Sequence, residues 1–367
     1  MILGGLDRTQ KEVSLLLDEL TRSSSFPEAV LFAGEGFSGR MFAATQVTKA
    51  LGIPSENTLI VSDRNHAYRI RTALRLYEKN RNNSARTFLK DCASVLLQQY
   101  HGALIEGQNT QAGKKKFSDA AEVTDMLRDL DSVREADVPD MCQRLEKALS
   151  PLMDSNRTSA ISIGQVRAIR DWCATSSMDG APKAVIIEGL ENASDSAVNG
   201  LLKTLEEPPA GSYFILISSN PGRIPATIMS RVRRFAFKSL SKDDLKYILG
   251  QLFVDPSKYD SLEEFFLEGS GIDDRMLQTE ASNLIEGREM DMKALVQELE
   301  KNQGWDRFFS HVLDALQKAF NEGRLEERRT RYLLDAVNSA VLKGRTFNQM
   351  KRLTFEYVVY RVREVIR

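Results

Sequence analysis

Residues 183–237 read KAVIIEGLENASDSAVNGLLKTLEEPPAGSYFILISSNPGRIPATIMSRVRRFAF, and this stretch decides the fold. The runs at 184–187 and 213–217 are short, apolar and rich in β-branched residues, which is typical of strands buried on both faces of a parallel sheet. Between them, apolar residues three and four apart predict an amphipathic helix over 197–205. Pro208 and Pro209 end that helix, because proline lacks an N–H group and clashes with the preceding turn. Strand, helix and strand in this order predict a βαβ unit.

A second strand–turn–helix pattern lies near the N-terminus. The apolar run at 29–33 leads into GEGFSGRM at 34–41, and a helical pattern follows to residue 51. This order is that of a P-loop, in which backbone N–H groups at a helix start cradle phosphates. The loop supplies the candidate nucleotide-binding residues Gly34, Gly36, Gly39, Arg40 and Met41. The alternative interpretation is a glycine turn that only connects a strand to a helix.

Several positions of this candidate site depart from a hydrolytic P-loop. Arg40 stands where lysine is required, and Met41 replaces the hydroxyl that holds Mg²⁺, although a thioether is a poor ligand for a hard cation. After the strand at 184–187, Glu188 keeps a carboxylate, but Gly189 removes the second carboxylate, which would activate water. Ser219, at the end of the next strand, is a further polar candidate, although a pair of serines at a strand end is also a common onset of a turn. We therefore predict a degenerate nucleotide site without hydrolysis.

Composition limits the remaining possibilities. The 367 residues carry a net charge of −1 with 28% charged residues, which gives no whole-chain argument for nucleic acid or membrane binding. The N-terminus lacks signal-peptide character, and no apolar run approaches the roughly 18 residues of a membrane helix. Cys92, Cys142 and Cys173 are far apart and form no CxxC pair, so we expect neither disulfides nor a cysteine zinc site. These features predict a cytoplasmic protein.

A long excursion separates the strand predicted at 58–61 from the helix predicted at 161–173. Residues 64–155 have mostly helical periodicity, and we expect this insertion to be separable from the core, since changes of loop length cost little entropy. Its first part is basic, which indicates either a DNA or partner contact or a solvated helix face. The basic residues are Arg64, Arg69, Arg71, Arg75, Lys79, Arg81, Arg86 and Lys90, followed by the lysine run at 114–116.

The segments NGLLKTLEEPP at 199–209 and FILISSNPGRIPATIMSR at 214–231 resemble AAA+ clamp-loader subunits of bacterial DNA polymerase III, of the delta-prime type. In that family the helix reads close to NALLKTLEEPP, and a Ser-Arg-Cys tripeptide follows the next strand. Gly200 stands where the family has alanine, and Val232 stands where it has cysteine. The four-cysteine zinc module usual in the family has no counterpart here.

The resemblance implies an α/β plus all-α fold: an AAA+ P-loop core with a five-stranded parallel sheet, a small helical lid and a C-terminal helical collar. We assign residues 1–238 to the core, with the helical insertion at about 64–155. Residues 239–288 are assigned to the lid and 289–367 to the collar. Amphipathic stripes over 305–320, 332–341 and 355–366 are consistent with a helix-bundle core and with a collar through which subunits assemble.

The resemblance also implies a function. A delta-prime-like subunit would not hydrolyse ATP itself, but it would supply Arg231 in trans as an arginine finger to the ATP of a neighbouring subunit. Its partners would be the gamma/tau ATPase and delta subunits, the sliding clamp and primer–template DNA, in a hetero-oligomer without membrane contact. No cofactor, metal or zinc is expected, and at most weak ATP or ADP binding. The alternatives are an active ATPase subunit of the gamma/tau type and, third, a DNA-binding adaptor working through the basic excursion.

Overall fold

The computed structural model describes residues 6–64, 66–106, 111–153, 161–175, 180–302, 304–346 and 351–366. The chain forms two compact units, of which the first ends at Phe265 and the second begins at Phe266. The sequence instead predicts boundaries at 238/239 and 288/289, and that division into core, lid and collar stays a prediction.

One five-stranded sheet forms the centre of the first unit. All four pairings between neighbouring strands are parallel, so the predicted five-stranded parallel sheet is confirmed. Together with the helices on its faces it forms an α/β fold, as predicted. The strands are β1 (Ala29–Ala33), β2 (Thr58–Ser62), β3 (Lys183–Glu188), β4 (Ser212–Ser218) and β5 (Arg233–Ala236), in the order β2-β3-β4-β1-β5.

Helices make up most of the remainder of the first unit. They are α1 (Leu6–Thr9), α2 (Lys11–Arg22), α3 (Arg40–Ala50), α4 (Ala67–Asn80), α5 (Asn83–Leu97), α6 (Gly102–Glu106), α7 (Gln111–Asp129), α8 (Val138–Met153), α9 (Ile163–Ala174), α10 (Asp195–Glu206), α11 (Ala226–Met229) and α12 (Lys242–Gln251). Helix α13 (Leu262–Ser270) spans the boundary between the units, and single 3₁₀ turns lie at 55–57, 98–100, 135–137, 190–192, 221–223 and 256–258.

Successive residues of the inner strands belong to two apolar clusters, as expected for strands that are buried on both faces. One cluster contains Leu31 of β1 and Leu216 of β4, together with residues of α9 and α10. The other contains Phe32 of β1 and Ile215 of β4, together with residues of α2 and α3. The apolar runs in the sequence are therefore uninterrupted because both faces of the sheet are covered.

Helix α10 begins at a capping serine and packs closely against α9. Ser194 is its N-cap, with Oγ accepting a hydrogen bond from the N–H of Ala197 at 3.2 Å. Gly200 faces α9, where an added Cβ would lie 2.8 Å from Ile163 Cδ1 and 3.2 Å from Val166 Cγ1. The close approach of these two helices favours glycine at this position.

The excursion is helical, as predicted, but it also packs into the core. Val95 of α5 belongs to the same apolar cluster as Phe32, and Leu104 of α6 belongs to the cluster of Leu31. Residues 98–100 lie against the edge strand β2. This packing contradicts the expectation that the excursion is separable from the core.

Two of the excursion's basic residues have acidic partners within the excursion. Lys90 Nζ lies 2.7 Å from Asp131 Oδ2, and Arg86 Nε lies 3.5 Å from Asp131 Oδ1. A cation already paired at the surface has less charge to offer to DNA phosphates. For these two residues, the structure favours the solvated face over a DNA contact.

The second unit is helical. Its helices after α13 are α14 (Asp274–Ile285), α15 (Met292–Asn302), α16 (Trp305–Asn321), α17 (Glu327–Thr346) and α18 (Lys351–Ile366). Phe308 and Phe355 stack edge-to-face in its apolar cluster, with ring centroids 5.3 Å apart. Phe320 and Tyr332, which the sequence places on the apolar stripes, are exposed instead, at 36% and 44%. In the part of the chain that the structure describes, no helix is long and apolar enough to cross a bilayer.

Candidate functional site

Polar side chains meet at the carboxyl edge of the sheet. Strand register places Ser62 opposite Glu188, Glu188 opposite Ile217, and Ala33 opposite Ser218. The loop 34–39 after β1 and the segments after β2, β3 and β4 therefore lie at one edge. Crevices at the carboxyl ends of parallel strands are the usual ligand sites of open α/β sheets.

The three glycines of the loop differ in their surroundings and in whether the backbone requires glycine. A Cβ at Gly34 would lie 2.5 Å from the carbonyl oxygen of Phe237, so this position needs glycine for close backbone approach. Gly39 is the N-cap of α3 with φ of +91°, a left-handed conformation. Gly36 has nothing within 4 Å of an added Cβ. Gly34 and Gly39 are thus required by the fold of the loop itself, whatever it binds.

Arg40 is a buried cation at the start of α3. It is 4% exposed, and neither Nε nor Nη1 has a hydrogen-bond partner among the residues that the structure describes. Burial, followed by the charge of Arg64, lowers the pKa of Arg40 to about 10, while Glu188 and Glu191 act in the opposite direction. The side chain remains a cation at neutral pH, with two unpaired donors.

Met41, the neighbour of Arg40, belongs to the apolar cluster that contains Phe32 and is 5% exposed. The position that carries the metal-binding hydroxyl in a hydrolytic P-loop is therefore a core position in this chain.

Glu188 contacts three other side chains of the same chain. Its Oε2 accepts a hydrogen bond from Ser62 Oγ at 2.7 Å and lies 3.1 Å from His66 Nε2. Its Oε1 lies 3.8 Å from Arg64 Nε. Burial alone would raise the pKa of Glu188, but His66, the Arg64 guanidinium and Ser62 together hold it well below its usual range. Glu188 is an ionised carboxylate with Oε2 hydrogen-bonded within the chain and Oε1 in an ion pair with Arg64.

Gly189 could not carry the missing second carboxylate. It has φ of +86°, and an added Cβ would lie 2.0 Å from Asp63 Cγ. Asp63, the residue after β2, fills this space and accepts a hydrogen bond at Oδ2 from Asn192 Nδ2 at 2.7 Å. Burial raises the pKa of Asp63 to about 6, against the Asn192 hydrogen bond and the charge of Arg64.

Ser219 belongs to a network of hydrogen bonds at the same edge. Arg64 Nη2 donates to Ser219 Oγ at 2.9 Å, and Ser219 Oγ donates to Glu191 Oε1 at 2.9 Å. Glu191 Oε1 also accepts from the backbone N–H of Ser219 at 2.9 Å. Burial opposes ionisation of Glu191, but these hydrogen bonds keep its pKa lowered. The Arg64 guanidinium thus links Ser219 with Glu188.

A complex of Mg²⁺ and nucleotide is the ligand that the sequence resemblance implies, and the residues present do not fit the metal. Mg²⁺ requires oxygen ligands in near-octahedral geometry. Met41 offers a buried thioether instead of a hydroxyl. Glu188 has both oxygens facing donors of the chain, and the cation between Glu188 and Ser219 is Arg64. No group of three or more potential metal ligands was found among the described residues.

Arg231 lies elsewhere, between α11 and β5. Its Nη1 donates to the carbonyl oxygen of Thr227 at 2.6 Å, and its Nη2 pairs with the Glu206 carboxylate of α10. The side chain is 30% exposed. The partly buried Val232 packs against the apolar cluster that contains Leu31, so the residue that replaces the family's cysteine fills a core position.

The loop residues, Glu188 and Ser219 are brought together at the sheet edge, as expected. Sequence reasoning missed Asp63 and His66, and it read Arg64 only as part of a basic run. A signal was present, since Ser62, Asp63 and Arg64 directly follow the apolar run at 58–61. Polar residues at the carboxyl end of a predicted parallel strand are candidates for a site at that edge.

Comparisons with known proteins show sequence similarity to subunits of DNA polymerase III. A family model described as "DNA polymerase III, delta subunit" matches residues 93–241. DNA polymerase III subunit tau of Bacillus subtilis (strain 168) is 37% identical over 94 residues, which are 26% of this chain and 17% of that protein. Subunit delta' of Haemophilus influenzae is 39% identical over 71 residues, 19% of this chain and 22% of the relative. Parts of this chain are thus similar to delta-type, delta', tau and gamma subunits of DNA polymerase III.

The comparisons do not separate the delta', tau and gamma subunit types. Subunit gamma of Buchnera aphidicola (subsp. Acyrthosiphon pisum) is 32% identical over 124 residues, 32% of this chain and 34% of that protein. The chain thus matches between 17% and 34% of the length of these three relatives. A crystal structure of a gamma subunit-related protein from Thermotoga maritima covers 96% of this chain at 15% identity with a TM-score of 0.40, which is too low to show a shared fold. The family match begins at residue 93, within the excursion, where the sequence alone gives no resemblance.

Proposed function

We propose that this chain is a delta-prime-type clamp-loader subunit, an AAA+ module that does not hydrolyse ATP and acts on the ATP site of a neighbour. Its partners are then the gamma/tau ATPase and delta subunits, the sliding clamp and primer–template DNA. The chemistry of the sheet edge favours a delta-prime-type subunit over an active ATPase subunit.

One observation carries the proposal: the end of β3 offers no free carboxylate for hydrolysis. Glu188 is held by other side chains, and Gly189 has no side chain. Hydrolysis at such a site needs a carboxylate that acts on the metal through water and another that activates the attacking water. Glu188 is held by Ser62, His66 and Arg64, and Gly189 has no room for a side chain. Loss of groups that stabilise a transition state typically costs about 10²–10³ in rate for each group.

Asp63 is the observation that favours the alternative, an active ATPase of the gamma/tau type. Its carboxylate lies in the space that a side chain at 189 would need, and a pKa of about 6 is near the range of a general base. However, Asp63 is hydrogen-bonded to Asn192, and Met41 still leaves the metal without its hydroxyl. Steady-state phosphate release by the isolated chain separates the two functions. We expect no release above background, and turnover that depends on Asp63 would establish the alternative.

Arg231 is the group that would act on the neighbour. A guanidinium is permanently charged and forks onto phosphate oxygens. In the free chain its partner is Glu206, in an ion pair between side chains that are 30% and 46% exposed. Pairs this exposed contribute about 0–1 kcal/mol, so Arg231 can exchange Glu206 for a phosphate at little cost. An arginine finger supplied in trans is worth about 10³–10⁵ in rate.

Assembly with other subunits is supported by an aromatic patch on α17 and α18. Tyr332, Tyr357 and Tyr360 are 44%, 48% and 64% exposed, and the Arg361 guanidinium lies 5.5 Å from the ring centre of Tyr332. Exposed aromatic residues beside arginine are typical of protein interfaces. The direct experiment is co-purification of the full chain with the ATPase and delta subunits. Failure to co-elute at low micromolar concentration would contradict the proposed assembly.

A further inference from the structure

The guanidinium of Arg231 is held by contacts within its own chain. Nη1 donates to the carbonyl oxygen of Thr227 at 2.6 Å and to Ser230 Oγ at 3.2 Å, and Nη2 pairs with the Glu206 carboxylate. The third nitrogen, Nε, is buried. A bidentate contact with phosphate needs two adjacent nitrogens of the guanidinium. Arg231 therefore cannot make that contact while it keeps these bonds.

The ion pair between Arg231 and Glu206 lies at the amino edge of the sheet, across from the loop 34–39. Helix α10 runs from the carboxyl end of β3 to the amino end of β4, so its last residue, Glu206, lies at the amino edge. Arg231 precedes β5, whose first residue, Arg233, is in register with Val30 near the start of β1. The sheet separates Arg231 from the candidate nucleotide site of its own chain. A phosphate that replaces Glu206 must therefore come from another molecule.

Glu206 stands at a position where a helix disfavours a carboxylate. It is the last residue of α10, and the C-terminal end of a helix carries the negative pole of the helix dipole, which prefers a cation. The guanidinium of Arg231 offsets this repulsion. The two side chains are 30% and 46% exposed, so water and salt screen the pair. Glu206 is thus a partner that holds Arg231 but releases it readily.

We propose that Glu206 regulates Arg231 by competing with the neighbour's phosphate for the guanidinium. Glu206 holds Arg231 on its own chain until a neighbouring subunit brings its ATP to this edge, and the phosphate then displaces the carboxylate. This inference rests on the proposed function, because the competing phosphate belongs to the ATP on which Arg231 acts. Removal of the charge of Glu206 should therefore speed hydrolysis by the neighbour.

The test is steady-state phosphate release by the reconstituted clamp loader with wild-type, Glu206→Gln or Glu206→Ala chain, over a range of ATP concentrations. Because an exposed ion pair is weak, we expect both variants to raise kcat by about two- to fivefold. KM should stay unchanged, since an arginine finger acts on the transition state and not on bound ATP. A change in KM alone, or a kcat that is not raised in both variants, overturns the inference.

Glu207→Gln is the matched control for the loss of charge. Glu207 is the next residue, is also exposed, and has no ion pair in the part of the chain that the structure describes. Its variant should keep the wild-type kcat. Since salt screens exposed ion pairs, the difference between Glu206→Gln and the wild type should shrink as the salt concentration rises. A control as fast as Glu206→Gln, or a difference that salt does not change, would contradict the competition.

A double variant separates this inference from the proposed function. In an Arg231→Ala background, Glu206→Gln should have no effect, because the carboxylate acts only through Arg231; an effect there overturns the inference. If Arg231→Ala slows hydrolysis but Glu206→Gln does not speed it, the inference alone fails. If Arg231→Ala hydrolyses ATP like the wild type, the proposed function fails as well. Because Glu206 is exposed, Glu206→Gln should keep the wild-type unfolding temperature and co-elute with the complex, so its change in rate does not reflect misfolding.

Discussion

Gly189 and Asp63 give a quantitative prediction about how the sheet edge is built. At Gly189, φ is +86°, and an added Cβ would lie 2.0 Å from Asp63 Cγ. Alanine at this position costs about 1–2 kcal/mol for the left-handed backbone. It costs about 1–2 kcal/mol more because Asp63 must leave its hydrogen bond with Asn192. Gly189→Ala should therefore lower the free energy of unfolding by about 2–4 kcal/mol.

The assay is urea unfolding followed by circular dichroism, with extrapolation to zero denaturant. Gly52→Ala is the matched control, since Gly52 has φ of +69° and nothing within 4 Å of an added Cβ. It should show the backbone cost alone. Asp63→Ala and the double variant complete a cycle, with an expected coupling of about 1–2 kcal/mol between the two sites. The reasoning is refuted if Gly189→Ala is no less stable than Gly52→Ala, or if Asp63→Ala leaves the cost of Gly189→Ala unchanged.

Three further predictions concern Asp63, the helical excursion and the exposed tyrosines of α18. Burial raises the pKa of Asp63 from 3.8 to about 6. As pH falls, the folded chain therefore binds a proton at Asp63 at a higher pH than the unfolded chain does. The contribution of Asp63 to stability should rise by up to about 3 kcal/mol between pH 7 and 4, whereas buried His66, whose pKa is lowered by burial, works in the opposite direction over this range. Measured by urea unfolding, the free energy of unfolding of the wild type minus that of Asp63→Asn should therefore rise as pH falls, and the same difference for exposed Asp129→Asn should stay constant. Replacing residues 66–154 by a Gly/Ser linker should abolish cooperative thermal unfolding, because Val95 and Leu104 leave the core. Tyr357→Ser with Tyr360→Ser should weaken co-elution with the other subunits on size exclusion without lowering the unfolding temperature.

The elements of the core could be predicted because each rests on local sequence. The apolar run at 29–33 coincides with β1, and the runs at 184–187 and 213–217 lie within β3 and β4. Short uninterrupted apolar runs predict buried strands without knowledge of their neighbours. The cap at Ser194 is local in the same way, since its side chain bonds to a residue three positions along the chain.

The contents of the site could not be predicted in full, because they depend on strand order. Asp63 meets Gly189 only because β2 pairs with β3 in a register that places Ser62 opposite Glu188. Sequence alone does not give that order. Sequence alone predicts a separable excursion for a similar reason, since helical periodicity identifies an apolar face but not the surface that it covers. The exposure of Tyr332 within an apolar stripe likewise depends on how α17 and α18 pack.

The central claim is that this chain acts on a neighbour's ATP through Arg231. The measurement that tests it is DNA- and clamp-stimulated phosphate release by the reconstituted clamp loader, with wild-type or Arg231→Ala chain. Arg234→Ala, which changes an exposed arginine of β5 nearby, is the control.

We predict that Arg231→Ala assembles normally and slows hydrolysis at the adjacent site by about 10³-fold or more, while Arg234→Ala has a mild effect. Unchanged phosphate release and clamp loading by the assembled Arg231→Ala complex would contradict the claim.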